Sequence, residues 1–235
     1  MYAQLNTKTV YSFMGSTVKL ADYLTAAKAL GYQTLGISDL DNLHAAHQFM
    51  TLSLRMGIKP VIAFETTCVI DSLPIQLSFI AKTSEGLSNL YRISSKKNFG
   101  FQKLSDMASH LSDVAIVVGS DYAVDNILKQ LPKEDVYVGL LKPTVQEFSR
   151  PKIPFLSVKY LDAADANTLT VLEHIKNGTK VDESLTVAHS ENLHAESMVT
   201  ELFDQKSLQN LDNLVSSIHY QAMDGSLALP TFNQD

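Results

Sequence analysis

The sequence predicts an α/β domain, built either as a closed (β/α) barrel or as an open doubly wound sheet. Three observations carry this. Short apolar runs rich in β-branched residues alternate with amphipathic stretches of helical length, the pattern of parallel βαβ units. Six or seven such units fit within the 235 residues, and 45% apolar side chains suffice for one large domain or two small ones. No internal repeat, low-complexity tract or evident linker interrupts the alternation. In either architecture a ligand site belongs at the carboxyl ends of the strands.

The elements follow in order. Ala3 to Leu5 reads as a first short strand. Leu20, Leu24, Ala27 and Leu30 share one helical face, and Gly31 stands where a C-terminal cap belongs. Thr34 to Ile37 reads as a buried strand. The next helix carries Ala45, Phe49, Leu52 and Met56 on one side and stops at Gly57. Lys59 to Phe64 and Gln76 to Ala81 are strand-like. Leu87, Leu90 and Tyr91 mark a helix. Val114 to Val118 is an apolar strand, with a helical stretch around Ile127 to Leu131. Val136 to Leu140 and Phe155 to Val158 are further strands. Leu169, Leu172 and Ile175 form the face of a helix. Two more helices follow, around Met198 to Phe203 and with Leu208, Leu211, Val215 and Ile218 on one side. The tail from Leu227, with Pro230, reads as an exit from the domain, and its end suggests a chain cut short of a further one.

Composition narrows the function. The formal net charge of −6 repels a phosphate backbone at long range. The one short basic cluster, Lys96-Lys97, reads as a solvated helix end. One cysteine, Cys68, excludes an internal disulfide and fits a reducing cytoplasm. The opening residues are not a signal peptide, and no apolar run is long enough for a membrane helix.

Common catalytic motifs are missing. Gly15-Ser16-Thr17 lacks the lysine and spacing of a phosphate loop. No dinucleotide fingerprint follows the first strand, and no nucleophile elbow exists. Cys68 reads as a small buried hydrophobe near a strand end. His44 and His47 can share a helix face, but no acid lies between them as in zinc helices. Asp39 and Asp41 flank Leu40 at a strand end, where two carboxylates can hold a divalent cation. Against that, Asp41 or Asn42 can simply cap the following helix.

Residues 4–16, Gln-Leu-Asn-Thr-Lys-Thr-Val-Tyr-Ser-Phe-Met-Gly-Ser, resemble the opening motif of PHP (polymerase and histidinol phosphatase) domains, His-Leu-His-x-His-Thr-x-Tyr-Ser-Leu-Leu-Asp-Gly. Residues 27–43 are similar to the second motif, built on Thr-Asp-His. Residues 57–65, Gly-Ile-Lys-Pro-Val-Ile-Ala-Phe-Glu, resemble Gly-Ile-Lys-Pro-Ile-x-Gly-x-Glu. The likeness continues through Gln76 to Lys82, the strand near Val158, and Ser190 to Leu214. Leu229-Pro230-Thr231-Phe232 resembles the family's domain exit. Order and spacing point to the branch found in bacterial replicative DNA polymerase III α subunits.

The resemblance implies a distorted (β/α)7 TIM-like barrel over residues 1–225, with 226–235 leading toward a polymerase palm. Active members bind up to three divalent metals at the strand ends and hydrolyse phosphoesters. In some α subunits the site is a 3′–5′ exonuclease. Here the family's ligand positions fall on Asn6, Lys8, Gly15, Leu40, Gln76, Ser157 and Lys159, while Glu65 is kept. Asp121 aligns loosely with a cysteine ligand. Asp39 is kept as a neighbour of the site. One carboxylate cannot hold a metal cluster, and ammonium groups repel cations. The expectation is a non-catalytic scaffold with no cofactor, in which Lys8, Lys159 or both pair with Glu65 or Asp39. The parent chain would be a magnesium-dependent DNA-directed DNA polymerase, a nucleotidyltransferase. Its palm and thumb, and other replisome subunits such as a proofreading exonuclease, are the expected partners. DNA would be met through the parent chain. The competing expectation is an active metal-dependent phosphoesterase or exonuclease.

Overall fold

The computed structural model describes residues 2–97, 103–162, 164–180 and 191–221. The strands are β1 (Asn6–Thr7), β2 (Thr34–Leu40), β3 (Lys59–Ile70), β4 (Leu73–Ala81), β5 (Val114–Gly119), β6 (Val136–Leu140), β7 (Lys152–Pro154) and β8 (Ser157–Val158). The helices are α1 (Leu20–Ala29), α2 (Ala46–Arg55), α3 (Ser84–Lys97), α4 (Leu104–Met107), α5 (Asp125–Leu128), α6 (Asp165–Asn177), α7 (Glu196–Leu202) and α8 (Gln205–Ser217). The expected exit segment, residues 226–235, lies outside the described residues.

Six strands pair in the order β2-β3-β4-β5-β6-β7, and β1 pairs with β8 in parallel. Two links bend this sheet into a ring. Gln4 bridges Leu35 in parallel, and the Gly36 amide donates to the Gln4 carbonyl at 2.6 Å. On the other side β8 continues the line of β7 after Phe155 and Leu156. The result is a distorted (β/α) barrel with the strand carboxyl ends, save that of β4, at one mouth. Gly36 is required at the closure. A Cβ there would stand 2.8 Å from the Leu5 backbone.

The expected all-parallel order is corrected at β4, which runs antiparallel to both β3 and β5. The cause is the connection. Asp71 and Ser72 both take positive φ (50° and 64°), making a two-residue hairpin that leaves no room for a crossover helix.

Other expectations shift in detail. The first strand forms at Asn6–Thr7 rather than Ala3 to Leu5, where Gln4 makes only an isolated bridge. Of the strand placed at Phe155 to Val158 only Ser157–Val158 forms, as β8, while β7 ends just before it at Pro154. The helical stretch near Ile127 shortens to Asp125–Leu128. Ile175 faces outward on α6, and His174 takes a buried place beside Ala166 and Leu169. Cys68 is fully buried in β3.

The core fills the barrel and the layer beneath its helices. Phe49, Phe64, Phe79, Leu5, Leu24, Leu35 and Ile62 are among its largest buried side chains. Tyr23 donates to the Gly36 carbonyl at 3.2 Å and stacks on Phe49, tying α1 to α2. Buried Lys152 on β7 meets Glu147 at 3.1 Å and Asp204 at 3.4 Å. Asp204 also caps α8 through the Ser207 amide at 2.9 Å, so one carboxylate both starts the helix and docks it on the barrel. Among the described residues, no helix is long and apolar enough to cross a membrane.

Candidate functional site

A cleft of about 310 Å3 opens at the mouth formed by the strand carboxyl ends. Asn6, Lys8, Gly15, Leu40, Glu65, Gln76, Ser157 and Lys159 all line it. Eight of the nine positions singled out by the motif comparison therefore converge, from β1, β2, β3, β4 and β8 and the turns after β1 and β8. Asp121 does not line the cleft. It sits exposed in the turn after β5, and its neighbours Gly119 and Tyr122 face inward instead.

Glu65 is the hub. It lies at the middle of β3 and is 7% exposed. Its Oε2 meets Lys8 Nζ at 2.8 Å and accepts from Ser78 Oγ at 2.8 Å. Its Oε1 accepts from Gln76 Nε2 at 2.8 Å. Lys8, also 7% exposed, donates to Asn6 Oδ1 at 2.8 Å as well. Asn6 in turn donates to the Phe155 carbonyl at 3.3 Å. A buried carboxylate is costly unless charge-paired and hydrogen-bonded, and Glu65 has both. The network also joins three strands across the mouth, since Asn6 lies on β1, Glu65 on β3, and Gln76 and Ser78 on β4.

Lys159 does not join this hub. Its Nζ meets Glu191 Oε2 at 2.9 Å, and its amide donates to the Glu191 carbonyl at 2.8 Å. Glu191 was not singled out from the sequence. It stands far downstream in a segment without regular structure, where spacing carries no signal.

Asp39 is almost fully buried and takes neutral partners only. It accepts from the Thr9 amide, Thr9 Oγ1 and Ser12 Oγ, each at 2.7 Å. Ser12 Oγ accepts in turn from the Leu40 amide at 3.1 Å. Asp39 thereby pins the turn after β1 across the end of β2. Asp41 points elsewhere, to Lys97 and Thr66, so the two acids do not converge on one cation. Neither Asp41 nor Asn42 caps α2. Asn42 instead accepts from the His44 amide at 3.1 Å. His44 packs edge-on to Tyr11. Lys97 is thus paired rather than simply solvated.

Among the described residues, the cleft holds three lysines (Lys8, Lys159, Lys176), three glutamates (Glu65, Glu173, Glu191) and no histidine. Among the described residues, no three His, Cys, Asp or Glu side chains are grouped so as to hold a metal ion. An apolar rim of Phe13, Met14, Leu40, Tyr122 and Leu141 surrounds the polar floor. Sequence reasoning missed this rim, because exposed apolar residues in loops carry no periodicity.

A barrel with one strand reversed and a polar cleft at its strand ends defines a class that the family comparison makes explicit. The chain belongs to the PHP domain family, whose model matches residues 4–133. Over its whole length it is 33% identical to DNA polymerase III subunit alpha of Streptococcus pyogenes serotype M3, of which it spans 23%. Over 77% of its length it is 26% identical to the same subunit of Staphylococcus aureus strain COL, of which it spans 17%. The chain thus covers about a quarter or less of these relatives. Among solved structures, a protein of Bifidobacterium adolescentis assigned as a metal-dependent phosphoesterase is 11% identical, with a TM-score of 0.38 over 85% of this chain and 94% of that one.

Proposed function

We propose that this chain is the PHP module of a replicative, cytoplasmic DNA polymerase III α subunit. On this reading it is a scaffold and interaction platform without a working metal-dependent phosphoesterase site. The DNA-directed DNA polymerase activity, with its magnesium, belongs to the remainder of the parent chain. That remainder, with its palm and thumb, is the first partner. Other replisome subunits, such as a proofreading exonuclease, are further candidates.

The saturation of Glu65 carries the proposal. Both of its oxygens are occupied, and an ammonium stands 2.8 Å from one of them. A metal at Glu65 would have to displace Lys8 or lie beside its positive charge. Among the described residues, the others that line the cleft add no imidazole or thiolate, and Glu191 is already paired. This donor set does not fit a di- or trinuclear centre, which needs several converging carboxylates and imidazoles. We therefore route no chemical step through a metal here.

The test is direct. The protein is purified with added zinc or manganese, bound metal is measured by mass spectrometry, and a phosphodiester substrate is assayed. Metal well below one equivalent and no turnover are expected. Stoichiometric metal with turnover abolished by Glu65→Ala would establish the active phosphoesterase instead.

A further inference from the structure

The cleft has features that a sealed relic does not need. An ammonium carries three N–H donors. Asn6 and Glu65 take two of those on Lys8, and no third acceptor is present among the described residues. Lys8 is nine-tenths buried, so the leftover donor cannot spread its cost into bulk water. Ser157 and Lys176, which also line the cleft, make no side-chain hydrogen bond or ion pair among the described residues. Unused donors thus line the floor of the cleft.

The rim above them is apolar. Phe13 is 75% exposed and Tyr122 43% exposed, and both rings line the cleft from different loops. Val10, Tyr11 and Val124 extend the exposed apolar surface along the same two loops. Aromatic side chains around a pocket are typical of surfaces that anchor a partner's side chain.

We propose that the cleft captures the C-terminus of a protein partner. The chain-end carboxylate accepts from the free donor of Lys8, with Ser157 and Lys176 nearby. The last apolar side chain lies between Phe13 and Tyr122. This rests on the reading of the cleft as metal-free. A single carboxylate suits one unallocated ammonium donor, and the charge-assisted bond is the strong kind. A cleft of about 310 Å3 has room for a chain end with its last side chain. Nucleic acid fits poorly. Among the described residues three glutamates and no arginine line the cleft, and the whole chain carries −6.

The probe is a fluorescein-labelled hexapeptide ending in Leu-Phe with a free carboxylate. Its C-terminally amidated twin and a labelled single-stranded oligonucleotide serve as comparisons, all read by anisotropy. The free-acid peptide should bind, with amidation weakening it by about tenfold or more, or about 1.4 kcal/mol. Phe13→Ser with Tyr122→Ser should weaken it similarly. These side chains are exposed, so the fold should survive, as circular dichroism will check. Lys176→Gln should weaken it less. Equal affinity for acid and amide, no binding at millimolar peptide, indifference to the rim variant, or tighter binding of the oligonucleotide would each overturn the inference. Metal measured in the same preparation separates the two failures. Bound metal sinks the metal-free reading, whereas a metal-free protein that ignores the peptide sinks only the capture.

Discussion

Lys8→Met removes the ammonium from the cleft while keeping most of its apolar stem. Glu65 would then remain 7% exposed, with Gln76 and Ser78 as its partners. Two neutral donors do not replace a positive charge. Breaking a buried ion pair from one side costs about 3–5 kcal/mol, because the other charge is left stranded. The Gln76 end of the network is open to solvent, which favours the lower figure. For a chain of this size each kcal/mol moves the melting midpoint by roughly 2–4 °C, so a loss of about 3 kcal/mol lowers it by about 6–12 °C. Glu65→Gln in the same background removes the stranded charge and keeps an acceptor for Ser78. The double variant should recover to within about 1.5 kcal/mol of the parent. Urea unfolding followed by circular dichroism gives the free energies, with the slope checking two-state behaviour. A coupling of about 1.5–3 kcal/mol is expected from the double-mutant cycle. A single-variant loss below about 1 kcal/mol, or strict additivity to within about 0.5 kcal/mol, would refute the view of Lys8 as the cation that makes Glu65 tolerable.

Three further outcomes follow from the same coordinates. Burial works against the Asp204 charge, but the Ser207 bonds and the Lys152 charge outweigh it and hold the carboxyl below its usual 3.8. Its contribution is present above that value and lost as pH falls through the lower folded one, so Asp204→Asn should flatten the acid limb of a melting-midpoint profile. Burial likewise opposes the Lys152 charge, yet Glu147 and Asp204 raise its pKa above 10.5. That contribution is present below 10.5 and fades as pH rises through the folded value, leaving the neutral range flat; unchanged limbs in Asp204→Asn would count against the latch. Gly36→Ala puts a Cβ 2.8 Å from the Leu5 backbone, which cannot yield as a side chain tip can; a loss near the upper end of the roughly 1–3 kcal/mol for overpacking is expected by urea titration. Burial pushes the Cys68 thiol up to about 12, so Ellman's reagent should find almost no thiol in the native protein at pH 8 and one equivalent in urea.

Legibility in the sequence followed physical cause. Strands β2, β5 and β6 and helices α1, α2 and α8 were readable, because each buries one regular face and local periodicity reports it. The reversal of β4 was not, since it depends on Asp71 and Ser72 both taking positive φ without the glycine that usually announces such a turn. The inward turn of His174 was hidden for a related reason. It packs by tertiary fit where the apolar pattern pointed to Ile175. In the cleft, the structure brings together Asn6, Lys8, Leu40, Glu65 and Gln76, since all lie on or next to strands of the ring. Outside regular structure, spacing carried less information. Asp121 turned outward, and Glu191 arrived as an unforeseen partner for Lys159.

Two buried acids, Asp39 and Glu65, show how neighbouring strands meet a buried charge in different ways. Asp39 sits beneath the turn after β1, where a backbone amide and two hydroxyls already converge on it. Three donors at 2.7 Å stabilise an ionised carboxylate without any cation. A lysine there would gain little and would crowd Ser12, which also serves Leu40. Among the described residues, no backbone amide donates to the Glu65 carboxylate. Its donors are side chains of β4, one of them at the solvent edge, so its charge needs a counterion. Position 8 supplies it because Lys8 directly follows β1 and its stem crosses the mouth to β3. On the proposed reading, a cation fixed in the covalent chain does what an exchangeable ion does elsewhere, with one difference. Such an ion can be chelated away, whereas Lys8 is held as long as β1 stays in the ring. EDTA should therefore leave the melting midpoint unmoved, and added zinc should not rescue Lys8→Met. A midpoint that falls with EDTA, or a variant restored by zinc, would return the cleft to metal chemistry.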